Sequence, residues 1–189
     1  EIYMPDDRDF GAGLLISSKR DWSEVGADYE NLIRHQFKNA VSVREKAFEV
    51  KGNLLGKDAM FAIIHFVRDN IRYRDTQFGG HSIIPQLSEK TLKDYRGDCK
   101  DQALLLKEML ATIGIKSHLT SIPLTGNGYA NLPTIQQFDH MMLYIPAQDG
   151  IPEMWVDPTD KTGNDRPVPL DMEGKTAFII DGKNSHIRT

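Results

Sequence analysis

The chain has 189 residues, of which 40% are hydrophobic and 26% are charged, and its formal net charge at pH 7 is −4. These values are typical of one globular domain with a full hydrophobic core. The sequence contains no block of basic residues, which gives no reason to expect nucleic-acid binding, and no apolar run of membrane-spanning length.

The N-terminal residues 1–20 are interpreted as the tail of a preceding domain or as a linker, and residues 21–189 as one domain. The chain begins at Glu1 rather than at methionine. We therefore expect that a signal peptide or a preceding domain is missing from this sequence.

The first helix is predicted to begin after Asp21 and to end near Phe37. Asp21 is the expected N-cap, and Glu24 is its expected capping-box partner. Trp22 opens an apolar stripe along this helix, and packing on its own domain is a better explanation for this side chain than a surface anchor.

Two further helices are predicted over residues 43–50 and 57–73. The apolar side chains of the third helix share one face, and Arg68 is expected to be more exposed. Residues 74–96 are predicted to form a long irregular connection, of the kind that often lines a site.

The only cysteine, Cys99, lies at the predicted start of a helix that ends near Gly114. Asp98 is the expected N-cap, which places the thiol in the first helical turn. The positive end of the helix dipole and the unpaired N–H groups there favour a thiolate. A lone cysteine is more often a small buried side chain than a nucleophile, so this segment alone does not establish one.

Strands dominate the predicted second half of the chain. We expect them over residues 116–123, 138–145, 153–157 and 176–180. A loop over residues 124–134 contains Gly126-Asn127-Gly128 and is a candidate wall of a substrate cleft, although a plain surface loop fits the same residues equally well.

The strands that carry His140 and Asp157 are predicted to form a hairpin, because the short segment between them contains the turn signal Asp149-Gly150. With the tip at Gln148-Asp149, residue 140 pairs with residue 157. A register shifted by two residues still keeps both side chains on one face. The hairpin therefore can place a carboxylate beside the imidazole, where it would orient the ring and stabilise its charged form.

Three segments together resemble the motifs of the transglutaminase-like superfamily, in the order that the family shows. They are Gly97-Asp98-Cys99-Lys100-Asp101, Phe138-Asp139-His140 and Trp155-Val156-Asp157-Pro158-Thr159. The resemblance covers about residues 20–160 and is strongest to bacterial members that carry a β-rich domain before the catalytic domain. It implies an α+β fold in which a helical N-terminal half packs on an antiparallel β-sheet, as in papain.

The resemblance also implies a cysteine-dependent acyltransferase, peptidase or amidase that acts on a protein or peptide through a thioester. Cys99 would be the nucleophile, His140 the acid and base, and Asp157 the group that orients the ring. Relatives are often envelope or exported proteins. Crosslinking, deamidation and proteolysis share these steps, and the motifs do not choose among them.

The second donor of an oxyanion hole is not evident from the sequence. Gln77 and Tyr73 are the two candidates, beside the backbone N–H of Cys99. Taken singly, each residue is better explained as an ordinary loop amide or a core tyrosine.

The sequence raises two other functional classes, a non-catalytic module and a metal-dependent enzyme. A non-catalytic binding or scaffold module with the same fold is the alternative, but such a module has no physical need for all three of Cys99, His140 and Asp157. A metal centre is not expected. The histidines lack ligand spacing, and residues 157–165 fail as a calcium loop because Lys161 takes a position that needs an oxygen ligand. No cofactor is expected.

Overall fold

The computed structural model describes residues 16–75, 83–162, 165–169 and 172–189. Within these residues the fold is α+β, as predicted, with five helices and a five-stranded antiparallel sheet. The helices are α1 (Trp22–Ile33), α2 (Val41–Lys51), α3 (Gly56–Asn70), α4 (Ser88–Asp94) and α5 (Cys99–Thr112).

The strands fall into two groups. A small parallel pair is formed by β1 (Arg72–Tyr73) and β2 (Arg96–Gly97). The main sheet has the order β5-β4-β3-β6-β7 and consists of β3 (His118–Ile122), β4 (His140–Ile145), β5 (Met154–Val156), β6 (Ala177–Ile179) and β7 (His186–Arg188).

Helix α5 lies at the centre of the domain, in contact with α2, α3 and α4 and with strands of the main sheet. Its consecutive leucines, Leu104, Leu105 and Leu106, are all fully buried. Three successive residues point to different sides of a helix, so a buried run of this kind requires neighbours all round. The central position fixes the N-terminus of α5, and with it Cys99, relative to the sheet.

Helix α1 begins where the sequence predicts, and Asp21 accepts a hydrogen bond from the N–H of Glu24 at 3.0 Å. The other half of the predicted capping box is wrong, because the Glu24 carboxylate accepts from the N–H of Arg20 at 3.2 Å. The helix also ends at Ile33, earlier than predicted.

Trp22 packs on its own domain, as predicted. Its ring lies 4.8 Å from that of Phe178 and 5.8 Å from that of Phe138, centroid to centroid. Its indole N–H donates to the carbonyl oxygen of Ala130 at 2.7 Å, so this side chain ties α1 to the 124–134 loop.

Three predictions in the middle of the chain need correction. Helix α3 ends at Asn70 rather than at Tyr73, because the next residues pair with β2. Residues 74–96 are not wholly irregular, since they contain α4. Arg68 is buried, with only 4% of its surface exposed.

The hairpin of β4 and β5 forms as predicted, with a register shifted by two residues. Asp149 and Gly150 both have positive φ, 40° and 78°, as a two-residue type I′ turn requires. Gln148 and Ile151 flank the turn and exchange backbone hydrogen bonds of 3.0 and 2.6 Å. The tip is therefore one residue later than assumed. The shift of two leaves the residues of each strand on their predicted faces.

The C-terminal segment adds strand β7, which the sequence did not predict, at one edge of the sheet beside β6. This segment meets α1 closely at Gly26. A Cβ on Gly26 would lie 2.2 Å from the Cβ of Ser185, so only glycine allows this approach.

Candidate active site

The N-terminus of α5 is closed by a reciprocal capping box. Asp98 accepts from the N–H of Asp101, and Asp101 accepts from the N–H of Asp98, both at 3.2 Å. Asp101 also accepts from the N–H of Gln86 at 2.8 Å. These bonds satisfy donors that a helix start leaves unpaired, and they fix the orientation of the first turn.

Gly97 precedes this turn for a reason of packing. A Cβ there would lie 2.6 Å from the Cβ of Asp101 and 3.1 Å from the Cγ2 of Thr91. The absence of a side chain lets the small parallel sheet approach the start of α5.

Cys99 is half-buried and lies in a cavity of about 210 Å³. His140 lines the same cavity, as do Tyr73 and Lys100. The Lys100 ammonium forms a buried ion pair with Asp98, so this positive charge is already compensated within the protein.

The two strand residues singled out by the sequence meet at this cavity. Nε2 of His140 lies 2.8 Å from Oδ2 of Asp157, and both side chains are more than 90% buried. Cys99 lies near enough to the ring of His140 to contribute to raising its pKa. The structure therefore brings Cys99 and the hydrogen-bonded pair of His140 and Asp157 together at one cavity.

The electrostatics of the site favour a charged imidazole. Burial lowers the pKa of His140, but the hydrogen bond to Asp157 and the interactions with the charges of Asp157 and Cys99 outweigh it and raise that pKa to about 10. Burial raises the pKa of Asp157, but its bonds to His140 and Thr159 and the charge of His140 leave it below the usual value. At neutral pH the ring is an imidazolium held by a carboxylate.

The Asp157 carboxylate is held on both oxygens. Oδ2 faces His140, and Oδ1 accepts from the N–H of Thr159 at 2.8 Å and from its hydroxyl at 2.7 Å. The backbone is held as well, because Nε of buried Arg68 donates to the Asp157 carbonyl at 3.0 Å. Asp157 therefore has little freedom to turn away from the ring.

Sequence reasoning missed Arg68 and Thr159 as supports of this residue. Buried Ile64 lies one helical turn before Arg68, so the spacing indicates the face of α3 on which Arg68 lies but not the groups that it bonds. Lys161 donates to the carbonyl oxygens of Arg68 and Ile71 and so ties the loop after β5 to the end of α3.

Asp157 and Asp165, the first and last residues of the segment tested above as a calcium loop, both bind other side chains of the protein. Asp157 bonds His140, while Asp165 contacts Nη1 of Arg68 at 3.3 Å and Nε2 of His65 at 2.9 Å. Across the described part of the chain, no cluster of three or more His, Cys, Asp or Glu side chains has a metal-binding arrangement.

One of the two sequence candidates for an oxyanion donor lines the cavity. Tyr73 is half-exposed there, and burial together with the charges of Cys99 and Asp75 raises the pKa of its hydroxyl to about 12, so the hydroxyl stays protonated. Gln77 lies outside the described residues.

The 124–134 loop is held by the side chain of Gln137. The amide of Gln137 donates to the carbonyls of Tyr129 and Leu132, at 3.2 and 2.8 Å, and accepts from the N–H of Tyr129 at 2.5 Å. The loop has no regular secondary structure, as predicted, and it is fixed by side-chain bonds instead.

None of the described helices is both long enough and apolar enough to cross a lipid bilayer.

Comparison with known proteins identifies the family. Residues 44–156, more than half of the chain, match the model of the transglutaminase-like superfamily. The matched region includes Cys99 and His140 and ends one residue before Asp157. Among curated proteins no sequence matches this chain.

Three solved structures match this chain, and the first of them shares its fold. A proposed protease from Parabacteroides distasonis ATCC 8503 has a TM-score of 0.68 and 12% identity, over 89% of this chain and 31% of its own. A proposed cysteine protease from Cytophaga hutchinsonii has a TM-score of 0.47 and 17% identity, over 84% of this chain and 55% of its own. Legionella pneumophila LapG has a TM-score of 0.37 and 14% identity, over 77% of this chain and 69% of its own. The chain thus spans about a third of the first of these proteins.

Proposed function

The chain belongs to the transglutaminase-like superfamily, and from this premise we propose that it is a cysteine-dependent acyl-transfer enzyme or amide hydrolase that acts on a protein or peptide. The observation that carries the proposal is the presence of half-buried Cys99 and of His140, hydrogen-bonded to Asp157, in the lining of one cavity.

The protonated state of the His140 ring suits the first half of the reaction. The Cys99 thiolate attacks the amide carbonyl and forms a C–S bond, and the carbonyl electrons move to the oxygen. The imidazolium of His140 then gives its proton to the departing nitrogen, which leaves as ammonia or an amine while a thioester remains on Cys99.

The second half returns the proton. The neutral ring of His140 removes a proton from water or from an acceptor amine as it attacks the thioester, and the thiolate departs. Asp157 stabilises the imidazolium at each stage. The acceptor decides whether the outcome is hydrolysis or transfer to an amine.

A direct experiment tests the acyl-enzyme step. We expect the protein to release a burst of nitrophenol from p-nitrophenyl acetate, and mass spectrometry to find one acetyl group on Cys99. Adding a lysine-like amine should accelerate loss of the acetyl group if the protein transfers acyl groups to amines. Absence of any acetyl group on Cys99 would favour the non-catalytic scaffold.

Replacing Tyr73 with phenylalanine should slow acetylation of Cys99 by about 10²-fold, because the developing oxyanion loses one hydrogen-bond donor. Alkylation by iodoacetamide forms no oxyanion and serves as the internal control. Tyr129→Phe is the matched variant, since Tyr129 is 52% exposed, against 50% for Tyr73, and does not line the Cys99 cavity. Equal acetylation rates in the two variants would remove Tyr73 from the oxyanion hole.

A further inference from the structure

A second cavity lies beside the cavity of Cys99, and the proposed reaction gives it no role. This outer cavity measures about 310 Å³ and lies between α1, residues 16–19 and residues 133–136. Three side chains line both this outer cavity and the cavity of Cys99, which we call the inner cavity: Tyr29, Ile83 and Ile135. The two cavities are therefore adjacent, with these three side chains at their boundary.

Burial and hydrogen bonds fix the side chains between the two cavities. Tyr29 is 96% buried, and its hydroxyl donates to the carbonyl oxygen of Ile83 at 2.9 Å. Ser17 extends the outer side by donating to the carbonyl oxygen of Pro133 at 2.5 Å. These two bonds link residue 29 to residue 83 and residue 17 to residue 133 around the cavity.

The lining of the outer cavity suits an uncharged, apolar group. Ile16, Leu32 and Ile83 present large apolar side chains that are 75%, 42% and 45% exposed. The two charged residues in the lining, Lys19 and Asp28, form an ion pair with each other. An apolar cavity of about 150 Å³ accepts a molecule the size of benzene, so the outer cavity has room for a leucine or phenylalanine side chain.

We propose that the acyl donor is an extended polypeptide with a large apolar side chain two residues from the reacting residue. In an extended chain alternate side chains point to the same side and lie about 6.6 Å apart. The reacting residue would enter the inner cavity. The residue two positions away would enter the outer cavity, on the other side of Tyr29. This inference rests on the proposed function, because it places the reacting group at Cys99.

Peptide electrophiles provide the test. Two series are needed, one with 6-diazo-5-oxonorleucine as the reacting residue and one with a C-terminal chloromethyl ketone, so that side-chain and main-chain amides are both represented. Each series carries leucine, aspartate or lysine at one, two or three residues from the reacting group. The measured quantity is the second-order rate constant for modification of Cys99.

We expect leucine two residues away to react at least about tenfold faster than aspartate or lysine, a difference of about 1.4 kcal/mol. At the other positions the choice should matter little. In Leu32→Asp the preference should move from leucine towards lysine, because the new carboxylate faces the bound side chain. The ratio between peptides is measured within one protein, so it does not depend on how much of the variant is folded.

Leu54→Asp is the matched control, because Leu54 is 43% exposed and lines neither cavity. Its peptide preference should equal that of the unmodified protein. Equal rates for leucine, aspartate and lysine, or the same preference in Leu32→Asp and Leu54→Asp, would overturn the inference.

Failure of this inference can be told apart from failure of the proposed function. If iodoacetamide modifies Cys99 at a rate that depends on His140 and no peptide reacts, the thiol is activated but the cleft does not accept a polypeptide. If the iodoacetamide rate is also independent of His140, the proposed function itself fails.

Discussion

Replacing Cys99 with serine is expected to lower the rate of acylation by p-nitrophenyl acetate on the order of 10⁴-fold or more. A serine hydroxyl stays protonated at neutral pH and needs a neighbouring base. His140 is a poor base for this purpose, because Asp157 remains in the variant and, against the effect of burial, continues to favour the protonated ring. The site is arranged for a thiolate and an imidazolium, and an alcohol does not complete it.

Loss of folding would not explain such a result, because serine is close to cysteine in size and Cys99 is only half-buried. The thermal midpoint of Cys99→Ser should therefore remain near that of the unmodified protein. Undiminished turnover in this variant would show that the reaction takes place elsewhere.

Replacing Asp157 with asparagine is expected to slow acyl transfer by about 10³- to 10⁴-fold. The carboxylate holds the ring of His140 and, with Cys99, raises the pKa of the imidazole against the effect of burial. An amide supplies no negative charge, so the pKa of His140 should fall and the ring should lose its proton at lower pH. The charged form that protonates the leaving group is then scarcer at neutral pH.

NMR titration of the His140 ring measures this shift. In the unmodified protein the ring should remain charged through pH 8, and in Asp157→Asn it should titrate at lower pH. Asp160→Asn removes the same charge three residues along the same loop, where the carboxylate accepts from the N–H of Thr162, and should leave the titration unchanged. Identical titration of His140 in the two variants would mean that Asp157 does not control the ring.

The hairpin shows what sequence patterns can determine. Alternation along β4 and β5 predicts which residues share a face, and this is insensitive to a register shift of two. The dipeptide Asp149-Gly150 also indicates the correct register. Both residues can adopt the positive φ that a type I′ turn requires, so the tip lies at these two residues. Placing the tip one residue earlier, at Gln148-Asp149, was the source of the error.

Arg68 shows where such patterns fail. Burial of an arginine depends on partners distant in sequence, here the Asp157 carbonyl and the Asp165 carboxylate. Nothing in the composition of α3 indicates those partners. The same reason explains why the sequence predicted neither the hydrogen bond from Tyr29 to Ile83 nor the close approach at Gly26.

The end of α3 and the presence of α4 illustrate a different difficulty. The apolar period of α3 continues to Ile71, but pairing of β1 with β2 takes the next residues out of the helix. Tertiary pairing overrides local propensity at such positions. As a result Tyr73 leaves the helix and lies on a strand beside the Cys99 cavity, where it is available to substrate.

The rate of Cys99 alkylation by iodoacetamide, followed from pH 6 to pH 9 in the unmodified protein and in His140→Ala, tests the central claim most directly. With an imidazolium beside the sulfur, the unmodified protein should react at pH 6 nearly as fast as at pH 8. In His140→Ala the rate should fall about tenfold for each pH unit below 8, as for an ordinary thiol. Coincident profiles for the two proteins would contradict the account, because His140 would then have no influence on the reactivity of Cys99.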